Sequence, residues 1–339
     1  MAEADKSGPP PQAVLGQMIN GYWLSYSIIG AVRLGVADAL AEGAATPVAR
    51  LAEKVGAHGD ALYRLLRALA SAGIFREEDG RAFAHTPLSL ALRKDVPGSM
   101  HGLASMTGLL HLRAWPQIEH SLRTGETAFE HVFGKEIFDY LPTDAEAARA
   151  FDAAMAGYTA TTSNAVVAKY DFSKFATVCD VGGGSGALIA TVLGRFAQPR
   201  GITFDLPHVH ERARAFLDRS GVAARAEAVG GDFFSSVPAA DCYTMKMILH
   251  DWDDERSRAI LRTLRKSIAA GGKLLVIESV VPTGNTPSPV KFLDVNMMVM
   301  TGGRERTEAE YGALFADSGF RLVRVIPCGP TDVVEAEPV

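Results

Sequence analysis

Cysteine is scarce in this chain, with three residues in 339, at Cys179, Cys242 and Cys328. Three thiols make no disulfide scaffold, and two of them lie inside apolar stretches, so a reduced, cytoplasmic setting is expected. No apolar run reaches the roughly 18 residues of a membrane-spanning helix, and no basic, apolar leader opens the sequence. Positive charge is not in excess. Lys plus Arg number 34 against 39 Asp plus Glu, a net charge of -5, which speaks against a nucleic-acid partner. The nine histidines never fall into a spaced ligand set, so no metal is expected.

Against these absences stands the run Val178-Cys179-Asp180-Val181-Gly182-Gly183-Gly184-Ser185-Gly186, followed 19 residues later by Asp205. It reads as a buried parallel strand, a tight glycine turn and a helix over 187–196. Gly201 to Phe204 reads as a second strand, with Asp205 at its tip placed to accept ribose hydroxyls or simply to cap the strand end. Such a turn alone is a weak signal for a nucleotide site. Asp180, just before the glycines, would oppose a diphosphate, and no Gly-Lys-Ser/Thr closes a phosphate loop. The pattern therefore leans towards S-adenosylmethionine (SAM), a sulfonium nucleoside without phosphate, over NAD.

Further strands are expected near 225–229, over 242–249 and over 273–278, with late ones at 322–326 and 333–334. The third leads to Gly231-Asp232-Phe233-Phe234, where Asp232 could accept an adenine amino group beside Phe233, or be a turn acid next to a core aromatic. The fourth ends in His250-Asp251-Trp252-Asp253-Asp254, and the fifth ends in Glu278. Both ends fall where open α/β sheets gather functional groups, so His250 and Glu278 could share one cleft. Phe292 to Met300 is methionine-rich and suits an adaptable pocket or plain core. Thr307 is expected to cap a helix with Glu310.

The front half is different. Residues 13–40 read as helix, and Thr46-Pro47 as a cap followed by proline at the first helical position. A helix over 61–72 and a hairpin around Glu78-Asp79-Gly80 follow. Helix, helix, helix, hairpin is a winged-helix pattern, which raises a DNA-binding regulator as a rival. Acids at Glu53, Asp60, Glu77, Glu78 and Asp79 dilute the basic face that Arg64, Arg67, Arg76 and Arg81 would make. Residues 98–158 read as mostly helical, with breaks at Pro116, Gly125 and Pro142. Trp115 and Phe133 are expected in interdomain packing, and Phe151 and Met155 share one helical face.

Asp-Val-Gly-Gly-Gly-Ser-Gly at 180–186, Phe204-Asp205-Leu206-Pro207-His208-Val209, Gly231-Asp232-Phe233-Phe234, Leu249-His250-Asp251-Trp252 and Gly302-Gly303-Arg304-Glu305-Arg306-Thr307 occur in this order. Together they resemble the SAM-dependent O-methyltransferases of the plant caffeic acid and hydroxyindole type, whose bacterial members tailor aromatic natural products. The resemblance covers essentially the whole chain. It implies an α/β fold, a Rossmann-like seven-stranded class I methyltransferase domain at 171–339. Ahead of it would come a mostly helical winged-helix-like dimerisation domain at 13–100 and a helical region over 101–170 beside the acceptor pocket, while residues 1–12, mostly polar or small with three prolines in a row, are expected to form a tail without order. A joint is expected near 168–174.

The resemblance also implies roles. Gly182 lies under the methionine part of SAM, Asp205 holds the ribose, Asp232 and Phe233 flank the adenine, and Lys246 and Asp251 are near the cofactor. His250 is the general base, with Glu278 and Glu305 bracketing its ring. Met247, Met297, Phe151 and Met155 line the acceptor site. The implied reaction moves a methyl group to the hydroxyl of a small aromatic acceptor, releasing S-adenosylhomocysteine, in a homodimer without metal, nucleic acid or membrane. N-methylation of an aromatic heterocycle is the alternative outcome.

Overall fold

The computed structural model describes residues 8–207 and 209–339. Most of the expected tail, residues 1–7, and His208 lie outside the described residues. A helix already begins at Pro11. The chain divides into two compact units, Met1–Leu110 with Arg149–Gly157, and His111–Ala148 with Tyr158–Val339. This division assigns residues 101–110 to the first unit and 111–148 to the second, rather than running near 168–174. Phe151 and Met155 belong to the first unit.

In the first unit the expected single helix over 13–40 is three helices, Pro11–Ile19, Tyr22–Arg33 and Val36–Ala39. Gly35, with φ of 69°, takes the left-handed backbone that ends the second and turns into the third. Strand β1 (Thr46–Pro47) pairs with β3 (Ala82–His85), which pairs with β2 (Phe75–Glu78), all antiparallel. Thr46 therefore belongs to a strand, where it pairs with Phe83, and does not cap the helix Val48–Val55, whose N-cap residue is Pro47. Helices Val48–Val55 and Gly59–Ser71 bury Leu51, Leu62, Leu66 and Leu69. The arginines of the rival DNA-binding face are partly neutralised. Arg76 pairs with Glu78 at 2.7 Å and Arg81 with Asp60 at 3.0 Å, while Arg81 also lies over the Tyr63 ring.

The second unit holds the seven-stranded sheet. Its strands are β4 (Thr177–Val181), β5 (Arg200–Asp205), β6 (Ala226–Gly230), β7 (Ala240–Lys246), β8 (Ile268–Glu278), β9 (Phe320–Pro327) and β10 (Asp332–Pro338). Their order is β6-β5-β4-β7-β8-β10-β9. β4 to β8 run parallel, and β10 inserts antiparallel between β8 and β9. The chain steps from β4 out to β6 and then returns to the other side of β4, which makes the β4–β7 junction the switch point.

Side chains alternate across this sheet, as the strand period of two requires. Cys179, Val181, Met245, Leu274 and Val276 pack with Ile260, Leu264 and Phe315 on one face. Val178, Cys242, Leu275 and Ile277 pack with Leu188, Val192 and Val167 on the other. Two covered faces explain why these strands read as continuous apolar runs. Trp115 and Phe133 find partners within the second unit itself. The Trp115 indole donates to Asn296 Oδ1 at 2.9 Å, and Phe133 stacks on Phe129 at 4.3 Å. No described helix is long and apolar enough to cross a membrane.

One buried carboxylate ties Tyr170, the residue after the helix Ala145–Lys169, to strands β9 and β10. Glu335 of β10 accepts from the Tyr170 hydroxyl at 3.0 Å and from Arg324 Nε at 2.6 Å. Tyr170→Phe removes one donor and leaves the acceptor buried, so unfolding should become easier by about 1–3 kcal/mol. Denaturant titration followed by tryptophan fluorescence checks this, and an unchanged midpoint would contradict the tie.

Candidate active site

The glycine turn is shaped by close approach. Gly182 (φ 71°), Gly184 (φ 55°) and Gly186 (φ 81°) all take left-handed backbone. A Cβ on Gly182 would sit 2.2 Å from Ile248 Cδ1, so the turn after β4 packs directly against the segment after β7. Asp205 is fastened into this turn, accepting from Gly184 N at 2.8 Å and from Leu206 N at 2.7 Å. Asp180 points inward and is only 2 % exposed. It accepts from the Thr244 hydroxyl at 2.7 Å, and burial raises its pKa to about 6 against the pull of Thr244 and Lys246. Lys246, at the end of β7, has its pKa lowered by burial, with Asp180 opposing.

Asp232 is exposed and closes its own turn, accepting from Phe234 N and the Ser235 hydroxyl, each at 2.9 Å. Phe233 packs edge-on to Trp252. Trp252 also stacks on Phe138 at 5.8 Å.

The fourth strand is shorter than its apolar sequence suggests. β7 stops at Lys246, and Met247 takes a φ of 55°, a left-handed conformation that is rare for a residue with a side chain. A 3-10 turn then spans Leu249–Asp251. Glu278 stabilises the break. Its Oε1 accepts from Ile248 N at 3.0 Å and His250 N at 3.1 Å, and its Oε2 accepts from the buried Tyr311 hydroxyl. Glu278, expected to bracket the His250 ring, makes its bonds to the backbone beside the ring and to Tyr311. Its hydrogen bonds hold the backbone on either side of Leu249, and it acts on the ring through charge.

Glu305 does meet the ring, with Oε1 2.7 Å from His250 Nδ1. On the other side Nε2 lies 3.7 Å from Asp251 Oδ1. The imidazole is 5 % exposed. Burial opposes a charge on it, but Asp251, Glu305 and Glu278 outweigh burial and raise its pKa to about 10. Burial also raises Asp251 to about 6, against the pull of His250. Burial raises Glu305 as well, with the His250 bond opposing. Glu305 Oε2 is buried without a hydrogen-bond partner.

Sequence reasoning left several supporting residues without a role. Arg306 is 1 % exposed. It donates to Leu249 O at 3.0 Å, Trp252 O at 3.1 Å, Ser257 Oγ at 3.1 Å and Asp254 Oδ1 at 2.8 Å. Asp294 Oδ1 accepts from Glu305 N at 2.9 Å. Arg304 N donates to His250 O at 2.9 Å, and a Cβ on Gly303 would fall 2.0 Å from that same oxygen. Arg306 lies in the Gly-Gly-Arg-Glu-Arg-Thr run at 302–307, but nothing in a linear sequence marks an arginine as buried. Met297 is 7 % exposed on the helix Val290–Met300. Asp251, Asp253 and Asp254 work separately, since Asp253 caps the helix Asp254–Ser267 and Asp254 pairs with Arg306. Among the described residues no cluster of three or more His, Cys, Asp and Glu could hold a metal.

The donor set fits a phosphate-free, cationic nucleoside. Carboxylates at Asp205, Asp232 and Asp251 meet the strand ends, and they suit hydroxyls, an amine and positive charge where a diphosphate would be repelled. Sheet order, glycine turn and acidic strand tips together define a class I methyltransferase fold preceded by a dimerisation domain. Residues 115–321 match the O-methyltransferase domain and residues 17–95 the O-methyltransferase dimerisation domain. The chain belongs to the SAM-dependent O-methyltransferase family.

It is 46 % identical over 342 residues to phenazine O-methyltransferase PhzM of Lysobacter antibioticus, covering 100 % of both chains. A crystal structure of LaPhzM matches with a TM-score of 0.93 at 46 % identity, over 97 % of this chain and 100 % of that one. NcsB1, an O-methyltransferase from neocarzinostatin biosynthesis solved with SAM and 2-hydroxy-5-methyl naphthoic acid, matches with a TM-score of 0.81 at 32 % identity, over 93 % and 96 %.

Gly303→Ala forces a side chain into the His250 carbonyl. It should destabilise the fold by about 2 kcal/mol or more, read as a fall in the thermal midpoint. A midpoint equal to that of the parent would mean that the Gly303 segment does not lie against the His250 turn.

Proposed function

We propose that the protein methylates a hydroxyl of a small, flat aromatic natural product, of polyketide, phenazine or indole-like character, with His250 as general base. The observation that carries this reading is the buried imidazole held between Glu305 and Asp251 at the switch point of the sheet. SAM, when bound, supplies an electrophilic methyl group on a sulfonium. Asp205 would hold the ribose, Asp232 and Phe233 the adenine, and Gly182, Lys246 and Asp251 the methionine end. Met247 and Met297 would line the acceptor side.

His250 takes the proton from the acceptor hydroxyl. A phenol has a reference pKa of about 10 and a free imidazole about 6.5, a gap of roughly 5 kcal/mol in proton transfer. The carboxylates around the ring raise its proton affinity before the cofactor binds, and that narrows the gap. Glu305 at Nδ1 holds the ring so that Nε2 is left for the acceptor, and the carboxylates stabilise the imidazolium that forms. The same carboxylates keep the resting ring protonated near neutrality. Positive charge bound beside these acids lowers the ring's proton affinity again.

Leu15, Met18, Ile19, Tyr22, Trp23 and Tyr26 expose 50–70 % of their surface on the first two helices. An apolar face of this kind supports a homodimer built on the dimerisation domain. Three unpaired, buried cysteines suit a reducing cytoplasm.

His250→Ala should abolish most turnover of a phenolic acceptor while SAM affinity by calorimetry stays within about threefold, because the ring is assigned to proton transfer rather than cofactor binding. Asp205→Ala should do the reverse to affinity, weakening SAM at least tenfold (about 1.4 kcal/mol for one charged hydrogen-bonding group). Full activity in the first variant, or full affinity in the second, removes the respective assignment.

The pH dependence has a definite sign. Only the neutral ring can act as base, and its share grows as pH rises towards about 10. The kcat/KM for SAM, which reports the free enzyme, should therefore climb from pH 7 to pH 9. A flat or falling profile over that range would exclude a proton-laden resting His250.

A further inference from the structure

We propose that Arg306 is a positioning residue for methyl transfer, setting the register between the His250 ring and Glu305 by holding both ends of the turn that carries the ring. The proposal rests on His250 as general base for its kinetic consequence, but its geometry stands without it.

The turn Leu249–Asp251 has lost the sheet ladder, since β7 ends at Lys246. Leu249 O accepts from Trp252 N at 3.2 Å within the turn, the Ser257 hydroxyl lies 3.4 Å from both Leu249 O and Trp252 O, and one guanidinium gives each of these carbonyls a further, shorter hydrogen bond. Arg306 Nη1 takes Leu249 O at 3.0 Å and Nη2 takes Trp252 O at 3.1 Å. Nε and Nη2 both reach Asp254 Oδ1, at 3.1 and 2.8 Å, and Nη2 also reaches Ser257 Oγ at 3.1 Å. A longer contact runs from Nη1 to Arg304 O at 3.5 Å. Arg306 directly follows Glu305 in the chain, so the residue that grips the turn is bonded covalently to the one that grips the ring. Asp294 fixes the Glu305 backbone from the other side. The planar fork matters here. A lysine at 306 keeps the charge but is a point donor without the fixed spread that spans two carbonyls and a carboxylate.

Other charged groups that act on the ring are Asp251 on its own turn, Glu278 of β8 and Glu305. Tyr311, on the helix Glu308–Ala316, meets the cluster through Glu278, and Asp294 acts through Glu305. Arg306→Lys alters none of these groups. Any change in His250 titration would therefore report moved geometry rather than removed charge.

The test is histidine-labelled NMR of the cofactor-free, full-length protein, with His250→Gln used to assign the His250 signal. In the Arg306→Lys variant the His250 pKa should fall by about one unit or more, as Glu305 loosens from Nδ1. kcat should drop roughly tenfold or more with the KM for SAM little changed, as expected when a reacting group is misplaced by a fraction of an ångström. The acid limb of the pH–rate profile should move to lower pH in step with the NMR titration. Ser257→Ala, which removes one Arg306 partner together with the longer contacts of that hydroxyl to Leu249 O and Trp252 O, should give a smaller shift in the same direction and serves if the lysine variant does not fold.

A folded Arg306→Lys protein whose His250 titrates as in the parent overturns the proposal, even if its thermal midpoint falls. If the lysine variant does not fold, an unchanged His250 titration in Ser257→Ala overturns it. If His250→Gln retains full turnover, the base reading fails, while a displaced His250 titration in Arg306→Lys still upholds the positioning role.

Discussion

The site depends on keeping a group of charges out of water without leaving any charged group unsupported. His250, Glu278, Glu305 and Arg306 are 5 %, 1 %, 4 % and 1 % exposed, and an unpaired charge at that depth costs several kcal/mol. The solution is mutual satisfaction of every group, with one oxygen, Glu305 Oε2, left over. Glu305 takes the ring, Glu278 takes two backbone N–H groups and a phenol, and Arg306 takes carbonyls and Asp254. An apolar core of the same volume would fold more readily. Retaining so many ionic groups at the strand tips makes physical sense if the imidazole has protons to exchange.

The platform beneath them is built for rigidity. Strand alternation buries Val181 and Met245 on one face and Val178 and Ile277 on the other, so the sheet is anchored from both sides. The turn carrying His250 is held mostly through its backbone. Arg304 N bonds the His250 carbonyl, Gly303 lies against it, and Ile248 fills the space over Gly182. The glycine turn after β4 and the imidazole after β7 are thereby held as neighbours at one switch point, although 68 positions separate Gly182 from His250 in the chain.

Much of this architecture was legible in the sequence because it rests on local pattern. Runs such as Leu274–Ile277 announce buried strands, the glycines of 182–186 announce a tight turn, and Thr307 with Glu310 forms the capping box their spacing implies. The misreadings have equally physical causes. The apolar stretch 242–249 looks like one strand, but the left-handed Met247 cannot be read from a methionine. Asn20-Gly21 and Gly35 interrupt a front segment that composition alone renders as continuous helix. Thr46 resembles a cap until β3 arrives from residues 82–85 to pair with it. Acids near a histidine in sequence announce a charged site, yet whether Glu278 meets the ring or the backbone is decided by a long-range approach of 28 positions.

The left-handed Met247 has a consequence for how this turn could have arisen. Any side chain at that position is strained, by about 1–2 kcal/mol relative to ordinary strand geometry, and the two N–H groups collected by Glu278 just downstream offset that strain. The carboxylate and the kink are therefore a coupled pair, each poorly tolerated alone. A chain that lost the acid first would tend to let β7 run on in register with β8 and carry residue 250 past the cleft. The order in which such a pair can be acquired or exchanged is constrained, and drift at either position should be slow.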